Sequence, residues 1–363
     1  MNIYDLDTPA LLLDVARLEN NLRQMAAYCK RHKLDLRPHT KTHKSPVIAH
    51  MQMERGACGI TVAKLGEAEV MADAGLTDIL IQYPIVGEAK LRRLVSLAAR
   101  CRLTIALDSL LVAKGISQAA TGAGLEVGVR VEFDTGFRRC GLPIVSESIS
   151  QVRAIQALPH LRWDGISVYY GHIMGDPDSR IAAIAHENEQ LDALYALLAA
   201  AGIDHSKVSG GNTPAALQSH EFHGLTEIRP GTYAFQDRDM VDAGAASFAD
   251  CALSVLTTVV STSVANRAII DAGSKTLSAD GLLSGAKMHF GYIVGFPDLP
   301  LEDLSEEHGH IFLGEGRELS VGHRLRIIPN HVCTCVNLHD RMFVVDGEEV
   351  VDSWRIEGRG KVV

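Results

Sequence analysis

Between residues 34 and 229 the sequence alternates short apolar runs with longer segments of helical periodicity. Such an alternation predicts a sheet of parallel strands, because each helix returns the chain to the start of the next strand. Eight runs within about 200 residues favour a (β/α)₈ TIM-type barrel over an open doubly wound sheet. No GxGxxG fingerprint follows the first strand, which weakens a nucleotide-binding interpretation. The strand-like runs are residues 34–36, 59–62, 78–81, 102–106, 127–131, 161–168, 207–209 and 225–229.

The sequence on either side of this region has a different pattern. Residues 9–13 form an apolar run that predicts a strand, and a helix over residues 15–32 follows it, with Asp14 as its N-cap. After Tyr233 the apolar runs are short, β-branched and separated by Gly, Pro and Asp turns. They lie at residues 251–263, 267–271, 318–328 and 341–345. We therefore predict a barrel domain over residues 15–235 and a mostly β domain formed by residues 1–14 and 236–363.

Charge and composition narrow the classes of function. A net charge of −9 argues against nucleic acid or an anionic membrane as a partner. No stretch approaches the roughly 20 apolar residues of a transmembrane helix, and the N-terminus lacks the basic-then-apolar layout of a signal peptide. The 7 cysteines are odd in number and scattered, which argues against a disulfide framework. We expect a cytoplasmic protein with reduced thiols.

The most informative short segment is Arg-Pro-His-Thr-Lys-Thr-His-Lys at residues 37–44. Because Pro38 cannot donate to a strand ladder, we expect the strand to end at Arg37 and the chain to turn out there. Lys41 then lies at the carboxyl end of a barrel strand, where ligands bind in α/β folds. A lysine in a partly desolvated, cationic pocket loses basicity and becomes a nucleophile toward aldehydes. On these residues alone, the alternative is a solvated basic loop.

Two glycine-containing loops follow the seventh and eighth predicted strands. Ser-Gly-Gly-Asn-Thr-Pro at residues 209–214 is expected to open a helix at Pro214, and Arg-Pro-Gly-Thr-Tyr occupies residues 229–233. Glycines let backbone N–H groups approach an anion, and barrels often bind phosphate between these two loops. A Gly-Gly turn alone is weak evidence, because many loops without a ligand contain one. The prediction of a phosphate site rests on the fact that the two loops follow the seventh and eighth strands.

Arg139 and Tyr169 are candidates for contacts with a flat, anionic ligand. Arg139 follows the fifth strand, where it could pair with a phenolate oxygen, and a surface charge cluster is the alternative. Tyr169 ends the sixth strand, where its ring could lie against a flat ring, and core packing is the alternative.

In the β region, His331 and Cys333 form a candidate metal site. If this segment is a strand, side chains two apart project to the same side and can ligate one metal ion. The nitrogen and sulfur pair favours zinc, and two protein ligands leave positions open for water and substrate. Cys335 would lie on the same face as a less favoured third ligand. The alternative is a buried thiol beside a hydrogen-bonded histidine.

These motifs, together with Asp-Thr-Gly at residues 134–136, resemble those of fold-type III pyridoxal phosphate (PLP) enzymes. The similarity is to the D-threonine aldolase and D-serine dehydratase group, distant relatives of alanine racemase, and it spans nearly the whole chain. It implies that Lys41 binds the PLP aldehyde, that Arg139 contacts O3′ and that Tyr169 stacks on the pyridine ring. Arg229 would face the pyridine nitrogen and keep it unprotonated. The other implied cofactor-binding residues are His39, Gly211, Asn212, Thr213, Gly231, Thr232 and Tyr233.

The resemblance also implies a D-amino acid substrate with a 3-hydroxyl group and a divalent metal on His331 and Cys333. Zinc is favoured, with manganese or magnesium as alternatives. Cysteine at position 333 favours a D-serine or D-3-hydroxy amino acid dehydratase, in which the metal helps hydroxide to leave and the products are a 2-oxo acid and ammonia. Relatives build the site across a homodimer, so a homodimer is expected.

Other activities remain open at the level of sequence. A D-threonine aldolase would release glycine and an aldehyde and needs a base, for which His172 is the available candidate. An amino-acid racemase needs a second base, and Tyr292 is the only tyrosine after Tyr233. A non-catalytic PLP-binding protein is disfavoured, because such proteins are shorter, single-barrel chains. A barrel hydrolase that uses only the metal is a further alternative.

Overall fold

The structure is a computed structural model that describes residues 1–282 and 289–363. These residues divide into two units. The first, which we call the β unit, comprises Met1–Arg23, Thr42–Ser45 and Thr232–Gly360. The second, the barrel unit, comprises Gln24–Lys41, Pro46–Gly231 and Lys361–Val363.

The secondary structure begins as a helix-strand alternation and ends as short strands. The strands are β1 (Ala10–Asp14), β2 (Asp35–Leu36), β3 (Ile60–Val62), β4 (Asp78–Ile81), β5 (Arg102–Leu107), β6 (Val127–Phe133), β7 (Leu161–Val168), β8 (Val208–Gly210), β9 (Glu227–Ile228), β10 (Leu253–Ser261), β11 (Arg267–Ile270), β12 (Tyr292–Ile293), β13 (Leu301–Leu304), β14 (Gly309–Phe312), β15 (Arg324–Ile328), β16 (Arg341–Asp346) and β17 (Glu349–Arg355). The helices are α1 (Val15–His32), α2 (Pro46–Glu54), α3 (Leu65–Asp73), α4 (Glu88–Ala98), α5 (Leu110–Ala123), α6 (Ser146–Gln156), α7 (Pro177–Ala200), α8 (Arg238–Asp242), α9 (Ser274–Leu277) and α10 (Val332–Asn337).

The barrel unit is a sheet of parallel strands in the order β2-β9-β8-β7-β6-β5-β4-β3. A parallel bridge between His39, just beyond β2, and Thr61 of β3 joins the two ends of this sheet. The strands consist mostly of buried residues, as expected where both faces of a parallel sheet are covered. The prediction of a (β/α)₈ barrel is confirmed.

The strand β2 ends at Leu36, within one residue of the predicted end, but the chain does not turn out at Pro38, so the predicted turn there is wrong. The Pro38 carbonyl accepts the Thr61 N–H at 2.9 Å, and the His39 N–H donates to the Pro230 carbonyl at 3.0 Å. Proline lacks only the donor, and its carbonyl still serves the ladder. The chain therefore stays extended through His39 and turns at Thr40.

Three other predicted elements differ from the structure. The segment after Pro214 is a 3₁₀ turn over Ala216–Glu221 and not an α-helix. The strand predicted over residues 318–328 begins only at Arg324. The segment at residues 331–335 is not a strand, because His331 is the N-cap of α10.

The β unit contains a mixed sheet whose main path runs β13-β14-β11-β10-β1-β16-β17 among the described residues, with β15 and β12 branching from β10. The N-terminal strand β1 pairs antiparallel with β10 and parallel with β16. One side of this pairing buries an apolar cluster that includes Ile3, Leu12, Leu256 and Val345. Within the described chain no helix is long and apolar enough to cross a membrane. The cysteines are all free thiols.

Candidate active site

The segment that carries Lys41 is fixed to the barrel by the residue before it. The Thr40 N–H donates to the Thr61 carbonyl at 2.8 Å, and the Thr40 hydroxyl donates to Glu67 at 2.7 Å. Glu67 is fully buried on α3 and also accepts the Ala63 N–H. Lys41 itself is half-buried and follows the carboxyl end of β2. Its backbone is therefore held at the edge of the barrel where ligands bind in this class of fold.

The loop after β8 presents backbone donors. Gly211 has a φ of +106°, a conformation that L-residues rarely adopt. A Cβ at this position would lie 3.2 Å from the backbone nitrogen of Arg229. In the described part of the chain, the N–H groups of Gly211, Asn212 and Thr213 donate to no protein acceptor. Consecutive free N–H groups form a concave site for an anion, which fits the predicted phosphate position.

The Asn212 side chain is used in hydrogen bonds within the protein and is not available to bind a phosphate. Its side-chain amide donates to the Tyr170 carbonyl at 3.1 Å and the Ile173 carbonyl at 2.9 Å. Its side-chain oxygen accepts the Ala215 N–H at 2.9 Å. The side chain therefore ties the loop after β7 to the loop after β8, and only the backbone of Asn212 is left to face a ligand.

Arg139 and Tyr169 lie together at the end of the barrel strands. The guanidinium carbon of Arg139 is 4.2 Å from the centre of the Tyr169 ring, and the Phe137 ring packs edge-on against the same tyrosine at 5.1 Å. Both the charge cluster and the aromatic packing considered from sequence are thus present in one group. A flat ligand on Tyr169 would use the ring face that Arg139 leaves free.

Arg229 is buried at the end of β9 and is held by two neighbouring strands. Its guanidinium donates to the Ser209 hydroxyl and, at 3.0 Å, to the Val168 carbonyl. Burial lowers the pKa of Arg229 to about 10, against the opposing effect of Glu227. The side chain therefore remains a cation at neutral pH, inside the barrel, with a fixed orientation.

His172 follows β7 and is partly exposed, and it faces the buried side chain of Glu187. Its Nε2 lies 3.7 Å from a carboxylate oxygen of Glu187, whose side chain on α7 is fully buried. Burial lowers the pKa of His172 and raises that of Glu187 to about 7. Two groups that can exchange a proton near neutral pH therefore lie side by side in the barrel unit.

In the β unit, a cluster of acidic and sulfur groups surrounds His331. Its Nδ1 lies 3.2 Å from Asp237 and 3.7 Å from Asp239, and these three residues form a group that could hold a metal ion. Burial alone lowers the pKa of His331, but the charges of Cys333 and Asp237 outweigh it and raise the pKa to about 11. A cluster that stabilises a positive charge so strongly suits a metal cation.

The helix α10 separates the two cysteines that the sequence placed on one face. The Cys333 sulfur contacts the Thr42 hydroxyl at 3.2 Å and the Thr232 hydroxyl at 3.9 Å, in the same unit as His331. The Cys335 thiol is fully buried and donates to the Thr276 carbonyl at 3.3 Å. Because residues two apart in a helix point in nearly opposite directions, the prediction that Cys335 shares the face of Cys333 is wrong.

Asp237 explains how His331 is oriented, and sequence reasoning missed it. Its carboxylate accepts the N–H groups of Met240 and Val332, both at 3.0 Å, in addition to facing His331 Nδ1. A carboxylate on one ring nitrogen orients a histidine so that the other nitrogen, here Nε2, can bind a metal. The Asp-x-Asp pattern at residues 237–239, just after the predicted phosphate-binding loop at residues 229–233, is the signal that could have revealed it.

The remaining candidate residues lie near these groups within their own units. His39 is buried, and its Nδ1 accepts the Lys41 N–H at 3.4 Å. Gly231 ends the barrel unit at the loop after β9. Thr232 and Tyr233 are buried in a 3₁₀ turn of the β unit. Their contacts with a cofactor stay predictions.

Comparison with known proteins identifies the family. Residues 13–239 match the alanine racemase N-terminal domain, and residues 252–345 match a serine dehydratase domain. A D-threonine aldolase from Arthrobacter sp. is 35% identical over 98% of this chain and 93% of its own length. The chain belongs to the D-threonine aldolase and D-serine dehydratase family of fold-type III PLP enzymes. As a member of this family, it is a PLP-dependent lyase.

Solved structures of the family agree with this membership. The crystal structure of D-threonine aldolase from Filomicrobium marinum is 33% identical, with a TM-score of 0.92 over 99% of this chain and 98% of that one. D-threo-3-hydroxyaspartate dehydratase from Delftia sp. HT23 is 30% identical, with a TM-score of 0.89 over 98% of both chains. A cysteine-to-alanine variant of this dehydratase is known in the metal-free form.

The barrel unit offers side chains that fit the cofactor of this lyase family. Lys41 provides an amine, the loop at residues 211–213 provides free N–H groups, and Arg229 provides a buried cation. These are the groups needed for an aldehyde, a phosphate and an unprotonated ring nitrogen. The individual contacts stay predictions, and the prediction for Asn212 now concerns its backbone only.

Proposed function

We propose that this family member is a dehydratase of D-3-hydroxy amino acids that releases a 2-oxo acid and ammonia. The observation that carries the proposal is the pairing of Cys333 with His331 in the β unit, with Asp237 behind the histidine. A thiolate and an imidazole form a donor set that selects zinc over magnesium or manganese. A related dehydratase has been solved as a cysteine-to-alanine variant in the metal-free form, which is compatible with a metal site in that enzyme.

Bound PLP supplies an electron-withdrawing ring conjugated to the substrate amine, and a divalent metal supplies a Lewis acid for the 3-hydroxyl group. The chain's own residues position the substrate and move protons. The Lys41 amine takes the α-proton of the substrate. Arg229 stays charged and would donate a hydrogen bond to the ring nitrogen of bound PLP without protonating it, so the ring would withdraw electrons less strongly. His331 and Cys333 would hold the divalent metal, whose Lewis acidity would then be the more important contribution to the departure of the hydroxyl group.

A product assay tests this proposal. Purified enzyme with PLP and zinc is incubated with D-serine, D-threonine or D-threo-3-hydroxyaspartate, and the L-isomers serve as controls. A 2-oxo acid and ammonia in equal amounts, from D-isomers only, is the expected result. Glycine plus an aldehyde would show an aldolase, and conversion to the L-isomer without cleavage would show a racemase; either result contradicts dehydration.

The second candidate is retro-aldol cleavage, which the family also contains. The observation that favours it is the position of His172 beside Glu187, which provides a group able to accept the hydroxyl proton. A D-threonine aldolase is also among the most similar relatives. The same assay with manganese in place of zinc tests this candidate. An aldolase would release glycine as its amino product.

A further inference from the structure

Glu187 is an acidic side chain buried where the fold gives it no cation. Its side chain is fully buried on α7, and among the described residues no lysine or arginine pairs with it. Burying a carboxyl group in this way is costly, and an apolar residue would pack the same space with less penalty. A stable fold therefore does not by itself account for a carboxyl group at this position.

The groups around Glu187 include several that can exchange protons. His172 faces it from the loop after β7, with Nε2 at 3.7 Å, and the Thr135 hydroxyl faces it from the loop after β6. Such distances in a ligand-free site often shorten to hydrogen bonds when substrate binds. The other titratable groups that influence this carboxyl or its neighbours are Asp134, Tyr170, His186 and Tyr195.

The loop after β6 borders the His172 imidazole. Gly136 has a φ of +128°, and a Cβ at this position would lie 3.5 Å from His172 Cε1 and 3.6 Å from Nε2. The Phe137 ring is nearly parallel to the His172 ring, with a centroid separation of 6.3 Å. The imidazole thus lies beside the Phe137 ring with Nε2 toward Glu187. Nδ1 is the ring nitrogen that does not face Glu187.

We propose that Glu187 is a positioning residue that shares a proton with His172 Nε2 and thereby makes Nδ1 a proton donor to the leaving 3-hydroxyl of the substrate. This inference rests on the proposed function and deepens it. The substrate C–O bond breaks, and its oxygen leaves as water with the proton from His172 Nδ1. His172 then takes the Glu187 proton at Nε2. Solvent protonates His172 at Nδ1, and the Nε2 proton returns to Glu187, which restores the starting state. The pKa of Glu187, raised by burial to about 7, is compatible with this exchange.

The test compares Glu187→Gln and Glu187→Leu with wild-type holoenzyme, and Glu189→Gln is the matched control. Glu189 is exposed on the same helix, and among the described residues it forms an ion pair with His186 alone. We expect kcat to fall at least about tenfold in both Glu187 variants, with KM nearly unchanged, because a proton-transfer group typically contributes a factor of about 100 or more. Glu187→Asp should restore part of kcat, and Glu189→Gln should match wild type.

A second measurement separates this inference from the proposed function. ¹⁵N spectra of histidine-labelled holoenzyme, with His172 assigned through His172→Gln, report which ring nitrogen carries the proton. We expect the Nδ1–H form in wild type and a shift toward the Nε2–H form in Glu187→Leu. An unchanged His172 signal in that variant would overturn the pairing, whatever the activity. A changed signal in an enzyme without lyase activity would support the pairing and refute the proposed function.

Discussion

Lys41 is the residue on which the cofactor assignment depends, and the barrel fixes the backbone before it. Thr40 contacts both β3 and the buried Glu67, so replacing the Lys41 side chain leaves the main chain supported. The consequence is that a variant at this position tests chemistry with little effect on folding.

Lys41→Ala should lose the visible absorption of bound PLP, and turnover should fall to the limit of detection, because no other amine replaces it. Absorption spectra and the product assay measure both effects. Lys114→Ala, at an exposed position on α5, is the control and should match wild type. Turnover retained by Lys41→Ala would refute the assignment.

Cys333 and Cys335 are two positions apart in the sequence, and we expect only Cys333 to bind the metal. Cys333→Ala should lower the bound metal and reduce turnover by more than about a hundredfold, since even outer partners of a metal ligand are worth about 10- to 100-fold. The visible absorption of bound PLP should persist. Cys335→Ala should keep its metal and lose only about 1 kcal/mol of stability.

Elemental analysis together with the product assay measures these effects. Equal metal content in wild type and Cys333→Ala would contradict the proposed metal site. Loss of metal in Cys335→Ala, in a protein that remains folded, would favour the strand geometry predicted from sequence over the observed helix.

At the scale of elements, the barrel interior contains a charge network that joins its strands. Glu227 of β9 pairs with Arg37 beyond β2 at 2.8 Å and with Arg130 of β6. All three side chains are buried. Arg130 has its ion pair with Glu227, whereas Arg37 also pairs with Asp78 at 2.6 Å. This network links β9 to β6 and to the end of β2, which are distant in sequence, through charged side chains inside the barrel.

Glu227→Gln should lower the free energy of unfolding by about 3–5 kcal/mol, because the buried Arg130 would lose its counter-charge and Arg37 would keep only Asp78. Urea denaturation at neutral pH measures the change. Glu126→Gln is the control, since Glu126 is exposed and pairs with Arg162, and it should cost less than about 1 kcal/mol. A Glu227→Gln protein as stable as wild type would contradict this account.

The same network predicts the acid sensitivity of the fold. Burial raises the pKa of Glu227, but Arg130 and Arg37 outweigh this effect and hold the pKa well below that of an ordinary carboxyl group. A depressed pKa gives stability that is complete above the unfolded value of about 4.3 and is lost as the pH falls below it. The difference in stability between wild type and Glu227→Gln should therefore shrink below about pH 4. Urea midpoints at neutral pH and at pH 3 measure it, and a constant difference would count against the ion pairs.

At the scale of the whole molecule, the homodimer implied by the sequence resemblance stays a prediction. Light scattering on the active enzyme should give twice the 39.2 kDa mass of one chain. Activity should fall on dilution if the site needs both subunits. Full activity in a species with the mass of one chain would contradict the expectation.

Most of the barrel was predictable from sequence, because a parallel strand buried on both faces must be a short apolar run. The helix α2 was missed, since it buries Pro46, Ile48, Ala49 and Gln52 without a regular polar face. The turn after the first barrel strand was misplaced, because whether a proline carbonyl finds a partner depends on the neighbouring strand. His331 and Cys333 were found as a pair, although on the wrong type of element.

The sequence by itself determined the family, the fold class and the local motifs around Lys41, Arg229 and Cys333, because each of these depends on residues close together in the chain. Only the tertiary structure placed Asp237 behind His331 and Glu187 beside His172. Hydrogen bonds and desolvation depend on neighbours in space, and these neighbours come from different loops and helices. The proton chemistry of the site is therefore a property of the folded chain.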